Sequence, residues 1–281
     1  MSEGKVQANG ISLWYQDFGD RTNPTVLFIS GATVQGLWPP DLITPIVDGG
    51  YHVVCFDHRD IGLSTWISDF ATKPYTLTDM AADAVGLLDA LKIKKAHVVG
   101  ISMGGGIAQL IAINYPDRAL TLTSWSSTYW FGDPDLPLAT SKVQSTIQDI
   151  MASPPKTREE MIDSNVALER ILVGSRFPFD EKAYHARQEV LVDRGFNPRN
   201  NHFSAAMSAP SRLDALRKLA VPTLVIHGDE DPIVNYVHAV VCAKVIPGAK
   251  LVILKGVGHE ISLPLAQETA RTLIAHFNSV K

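Results

Sequence analysis

A chain of 281 residues with 46% hydrophobic and 19% charged residues carries enough apolar material for a large core, which excludes a disordered chain. A net charge of -4 and the lack of any run of Lys or Arg leave no electrostatic footprint for nucleic acid. The stretch Met1 to Gln7 has no apolar core, and nowhere do about 18 apolar residues follow one another, so the expectation is a cytoplasmic chain, neither secreted nor membrane-spanning.

Asn9-Gly10 lies between Lys5-Val6-Gln7 and the alternating Ile11-Ser12-Leu13-Trp14-Tyr15, a pattern that predicts two antiparallel strands joined by a tight hairpin. Four later runs, Thr25 to Ile29, His52 to Phe56, His97 to Gly100 and Thr223 to Ile226, are continuously apolar and partly β-branched, as strands buried on both faces are. Leu251 to Leu254 adds another. Helical patterns alternate with them, from Leu77 to Leu91 and from Gly104 to Tyr115 before Pro116. This alternation predicts an α/β fold: a mostly parallel sheet flanked by helices, with ligands at the carboxyl ends of the strands. Cys55 and Cys242 fall in an apolar run and a helix-like stretch, and read as small buried hydrophobes rather than a disulfide.

The rhythm breaks after the strand-like Leu120 to Trp125 and resumes at Val221-Pro222. About 90 residues intervene, with helical patterns at Thr140 to Met151, Arg158 to Val173 and Asp180 to Val192 separated by Pro154-Pro155, Pro178 and Pro198. The expected division is a core of residues 1–127 and 214–281 with an inserted helical cap at 128–213.

Gly100-Ile101-Ser102-Met103-Gly104 matches G-x-S-x-G, the turn that lifts a serine hydroxyl above a sheet. Composition alone yields such a pentapeptide in about one chain of this length in ten. Here it follows an apolar strand and opens a helical run, which is the context the chemistry requires. A serine hydroxyl needs a base to take its proton and a carboxylate to orient that base, in the chain order Ser, acid, His for such a fold. Of nine histidines, His259 sits in a strand-end loop near the terminus, whereas His58 precedes Ser102 and His227 adjoins the acid loop. Three acids follow Thr223 to His227; Asp231, before Pro232, is the expected partner, with Asp229 and Glu230 as turn or cap residues. Ser30-Gly31-Ala32-Thr33 follows the first buried strand, so the N–H groups of Ala32 and Met103 are the expected oxyanion donors.

These residues, together with Asp57-His58-Arg59-Asp60-Ile61-Gly62-Leu63-Ser64, Ala82-Asp83-Ala84-Val85 and Gly256-Val257-Gly258-His259, resemble the α/β-hydrolase family, and within it the aclacinomycin methylesterase subgroup of anthracycline-tailoring enzymes. Two positions depart from the wider family pattern and match the subgroup in kind: Ser30 where many members have His before Gly, and Asp60 where most have Gly in D-x-R-G-x-G-x-S. The resemblance implies Ser102, Asp231 and His259 as triad and Ala32 and Met103 as oxyanion donors, and it fades in the cap. Serine as nucleophile argues against the epoxide and carbon–halogen chemistries of members that use Asp.

The expected activity is hydrolysis of a carboxylic ester of small-molecule size through an acyl-enzyme, without cofactor or metal, the chain lacking an H-E-x-x-H or Cys/His cluster. Tyr129, Trp130, Phe131, Tyr184, Phe203 and Met207 are candidate pocket residues for a bulky aromatic acyl group, giving a methylesterase reading. A general carboxylesterase or lactonase is the alternative, followed by thioesterase, carbon–carbon bond hydrolase, perhydrolase and a hydrolase-like receptor. Composition and motifs carry no information on oligomeric state.

Overall fold

The structure, a computed structural model, describes residues 1–197 and 200–280; the break expected at Pro198 lies outside the described residues. Asn9 and Gly10 both take left-handed backbone, φ 49° and 80°, which a two-residue hairpin turn demands. They join β1 (Ser2–Ala8) to β2 (Ile11–Phe18), with Ala8 opposite Ile11. The sheet continues through β3 (Thr25–Ile29), β4 (His52–Phe56), β5 (Ala96–Ile101), β6 (Ala119–Trp125), β7 (Thr223–Gly228) and β8 (Lys250–Leu254). The order is β1-β2-β4-β3-β5-β6-β7-β8; pairings from β4 onward are parallel, while β1 and β2 are antiparallel.

Every residue of β3, β4, β5 and β7 is buried, because both faces of the sheet are covered. Alternate side chains serve two separate cores. Val26 and Phe28 pack with α1 (Pro40–Asp48) and α10 (Leu263–Asn278) on one face. Leu27 and Ile29 pack on the other with α2 (Leu77–Ala90), α3 (Met103–Asn114) and α9 (Val237–Val245). α2 begins with a capping box between Thr76 and Asp79. α1 is absent from the sequence expectations, since Pro45 in its interior reads as a breaker; burial of Leu42, Ile43 and Ile46 outweighs that cost. No helix among the described residues is long and apolar enough to cross a membrane.

Between β6 and β7 run α4 (Ser141–Ala152), α5 (Arg158–Leu172), α6 (Glu181–Gly195), α7 (His202–Met207) and α8 (Leu213–Leu216), with no strand among the described residues. The first three start at N-caps Thr140, Thr157 and Asp180 and bury few side chains, so little apolar packing holds them. Polar bonds fix the insertion's far end to the core. Arg194 donates to Gln35 Oε1 (2.5 Å) and Asp57 Oδ2 (2.7 Å) and lies over the Trp14 ring. Asn201 donates to Asp60 Oδ2 (3.1 Å) and His202 Nε2–H to the Arg59 carbonyl (2.7 Å). Asp60 itself holds φ 71°, a left-handed conformation glycine adopts without strain, and its carboxylate accepts from Ile67 N and Tyr75 Oη besides Asn201.

Burial holds His52, His58, His202, His238 and His276 below the ordinary histidine pKa, His58 down to about 3 and His202 to about 4. The unfolded chain therefore takes up protons below pH 6.5 that the folded chain refuses, so stability is present above that pH and is lost as pH falls toward the folded values. Burial raises the Asp57 and Asp83 carboxyls and opposes the trend at its acid end. Each fully shifted histidine contributes a slope of up to about 1.4 kcal/mol per pH unit. Urea midpoints are expected to fall between pH 7.5 and 5.0; a midpoint that holds or rises contradicts this reading.

Candidate active site

At the end of β5 the chain turns into α3 through Ser102, whose φ of 56° and ψ of -122° place a non-glycine residue in a strained region. Two glycines make the turn possible. A Cβ on Gly100 would collide with the Gly104 carbonyl, and one on Gly104 with the carbonyls of Ile29 and Ser30. Ser102 is pinned on both sides of its peptide: its N–H donates to Trp125 O (2.9 Å), and its carbonyl accepts from Gly105 N (2.9 Å) and Ser127 Oγ (2.7 Å). The side chain is left at the carboxyl end of the sheet.

His259 follows β8 and is held through its own backbone, its N–H donating to the Leu172 carbonyl at the end of α5 (2.7 Å). Its Nδ1–H donates to Asp231 Oδ2 at 2.6 Å. Asp231, in the loop after β7, is buried, and its Oδ1 accepts from the N–H groups of Ile233 (3.0 Å) and Val234 (2.8 Å). Burial works against ionisation there, but the charge of His259 and the hydrogen bonds of His227 and His259 outweigh it and hold the carboxyl well below the usual range. His227 touches Asp231 too, Nε2 lying 3.2 Å from Oδ2, yet it is fully buried and bonds the Val234 carbonyl (2.6 Å). It supports the acid from behind, away from the cavity. Asp229 accepts from Gly256 N and pairs with Lys255, while Glu230 accepts from Ser175, so neither approaches His259 by a hydrogen bond.

Ser102 and His259 front one cavity, with no Ser102 Oγ to His259 hydrogen bond among the described residues. Such bonds are commonly long before substrate closes the site. Gly31 lies beside the serine, a Cβ built on it standing 3.8 Å from Ser102 Oγ, and Ala32 lines the same cavity. The N–H groups of Ala32 and Met103 have no partner among the described residues, as donors reserved for a ligand would. The opposite wall belongs to the insertion: Leu168, Glu169 and Leu172 of α5, Arg187 and Leu191 of α6, and Phe203 of α7. Burial raises the Glu169 carboxyl, against the pull of Arg187 and His259. A second, outer chamber opens beside the first, sharing Leu37, Trp38, Arg187, Leu191, Glu260 and Ile261 with it.

The aromatic candidates for the pocket separate. Phe203 lines the inner cavity and Tyr184 the outer one. Tyr129, Trp130, Phe131 and Met207 line neither, which corrects the sequence expectation. Tyr129 is buried in the core beneath α3 and α9 with its hydroxyl on Asp133; Trp130 and Phe131 pack against that core; Met207 faces solvent at 60% exposure. The three aromatics follow β6 at the insertion's junction with the core, where packing rather than a cavity takes up their surface. The wall residues of α5 and α6 carry one signal in the sequence, Leu168 with Leu172 and Arg187 with Leu191 having the four-residue spacing of one helix face.

The alpha/beta hydrolase fold family matches residues 24–264. Rhodomycin D methylesterase DnrP of Streptomyces peucetius is 31% identical, over 95% of each chain. 3-Oxoadipate enol-lactonase 1 of Acinetobacter baylyi is 27% identical, covering 80% of this chain and 77% of its own. Among solved structures, the enol-lactonase from Burkholderia xenovorans LB400 superposes with a TM-score of 0.80 at 21% identity, covering 98% of this chain and 100% of its own. The chain belongs to the alpha/beta hydrolase fold family.

Proposed function

We propose that this protein is a serine carboxylic ester hydrolase in which Ser102 is the nucleophile, His259 the general base and acid, and Asp231 the group that orients and stabilises the imidazole. The observation that supports it most is His259, hydrogen-bonded through Nδ1–H to the buried Asp231 carboxylate, lining the same cavity as a strained, pinned serine. Ser102 Oγ attacks the ester carbonyl as His259 Nε2 takes the hydroxyl proton, and the N–H groups of Ala32 and Met103 receive the negative charge that develops on the carbonyl oxygen. His259 returns the proton to the departing alcohol. Water then gives its proton to His259 and attacks the acyl carbon, releasing the acid and restoring Ser102.

The substrate we favour is the methyl ester of a bulky aromatic, polyketide-type acid. Similarity to Rhodomycin D methylesterase over nearly the whole chain supports it, and so does the shape of the site. The inner cavity, about 150 Å³, has room for the reacting ester and little else, whereas the outer chamber, about 560 Å³, is large enough for a ring system. In this reading residues 128–213 form a cap whose helices wall both chambers. An enol-lactone is the second reading, favoured by the Acinetobacter relative. A cytoplasmic site of action fits two buried thiols that form no disulfide, Cys242 being pushed up to about 12 by burial.

Ser102→Ala is expected to abolish ester turnover with an unchanged circular dichroism spectrum, because the hydroxyl is a reactant and packs little. Asp231→Asn is expected to lower kcat by about 10³- to 10⁴-fold through the wrong His259 tautomer. Asp229→Asn is expected to leave kcat near wild type; a reversed order of the two acid variants would show that the wrong carboxylate has been chosen. For the substrate, kcat/KM for methyl esters of bulky aromatic acids is expected to exceed that for acetates and butyrates of bulky alcohols and for lactones. A clear preference for the acetates or lactones rejects the methylesterase reading.

A further inference from the structure

The loop that leaves β3, residues 30–35, carries the proposed Ala32 donor, and the peptide planes on either side of that donor are each anchored by a buried histidine. His58 Nε2–H donates to the Ser30 carbonyl at 3.0 Å, which fixes the Ser30–Gly31 plane. Thr33 N–H donates to His202 Nδ1 at 3.0 Å, which fixes the Ala32–Thr33 plane. Between them lies the Gly31–Ala32 plane, whose N–H is the Ala32 donor. Peptide planes turn only through the dihedrals at their joints, and glycine at position 31 makes one of those joints soft. With both neighbours anchored, the plane can turn only about the axis joining the Gly31 and Ala32 Cα atoms, so the anchors limit the directions open to the donor. Thr33 also holds φ 63°, costly for a β-branched residue and stable only while its surroundings impose it.

The two anchors come from different parts of the molecule. His58 belongs to the core, in the loop after β4, whereas His202 opens α7 of the insertion. His202 is fully buried, and both its ring nitrogens are used, Nδ1 accepting from Thr33 and Nε2–H donating to the Arg59 carbonyl at 2.7 Å. Those partners require the neutral ring with its proton on Nε2. A proton on Nδ1 would face the Thr33 N–H and break the anchor; burial disfavours that form.

We propose that His202 is a positioning residue for the reaction: by holding the Thr33 N–H it sets the Ala32 N–H toward the oxyanion, so the oxyanion hole is complete only while the insertion is docked on the core. This rests on the esterase reading and on Ala32 as a donor. It gives the insertion a part in the chemical step in addition to walling the cavity.

Two substitutions divide the ring's functions. His202→Asn keeps an acceptor where Nδ1 stood and gives up the Arg59 bond; His202→Gln keeps a donor near Nε2 and gives up the acceptor. With a small aryl acetate, His202→Gln and His202→Ala are expected to lose about 10- to 100-fold in kcat, with His202→Asn within about fivefold of wild type and KM little changed throughout, since a transition-state donor is what is displaced. Asn201→Ala removes an insertion–core bond without touching the oxyanion loop and is expected to keep wild-type kcat. Equal kcat for the Asn and Gln variants, losses confined to KM, or losses that follow the melting temperatures would overturn the proposal. Nitrogen-15 NMR of wild type tests it without any variant: His202 should carry its proton on Nε2 and show coupling to the Thr33 amide, and a proton on Nδ1 would also overturn it. Wild type that turns over no ester, or Ser102→Ala that retains turnover, would instead refute the esterase reading itself.

Discussion

Ser102 holds a left-handed backbone that costs an L-residue about 1–3 kcal/mol, and much of the surrounding structure serves to impose it. Three strands meet at this point. β5 delivers the residue, β6 accepts its N–H at Trp125, Ser127 just beyond β6 donates to its carbonyl, and the end of β3 lies so close to Gly104 that no side chain fits there. The run Met103-Gly104-Gly105-Gly106 is poor helix material, yet α3 starts there, because close approach to β3 and Ser127 outweighs propensity. Relaxing the turn would cost the packing of three strands, and that is why the strain persists.

The residues proposed for the reaction are arranged around the same end of the sheet, each on a loop or turn after a parallel strand: Ala32 after β3, Ser102 after β5, Asp231 after β7 and His259 after β8. Parallel strands bring all these loops to one edge, so residues far apart in sequence converge without any long-range local signal. The insertion then closes the open side. Besides the apolar packing of Ala205, Ala206 and Ala209 in the core, polar bonds attach it: Arg194 on Asp57 and Gln35, the His259 N–H on Leu172 O, Gly174 N–H on Glu260 Oε1 at 2.9 Å. Bonds of this kind fix orientation while adding little net stability each. Such an attachment suits a wall that must hold its place yet let substrate enter.

Much of the core was legible from residues 1 to 127 because the strands there are buried on both faces and turn signals bound them: β3 and β4 have the expected limits, and the Asn9-Gly10 hairpin needs its left-handed pair whatever the tertiary context. The pairing of Asp231 with His259, joined by a hydrogen bond of 2.6 Å, was legible because chain order and strand-end position leave few candidates. The walls of the cavity were not. Tyr129 and Trp130 look like pocket residues by type, but their depth depends on how the insertion joins the core, which no local pattern encodes. Leu168 and Arg187 belong to helices whose buried faces are narrow, since one side meets a cavity, and a weak periodicity is the physical result. His202 carries no local signal, because what distinguishes it is two hydrogen bonds to residues 143 and 169 positions away.

The most direct test of the central claim is to trap the acyl-enzyme. The protein is mixed with an excess of an aryl ester, quenched in acid within milliseconds, digested and mapped by mass spectrometry. A serine esterase of this geometry will carry one acyl group, on the peptide containing Ser102, and will lose it on a longer incubation as water replaces the alcohol. Turnover of the same ester with no adduct at any time, or an adduct on another residue, would contradict it.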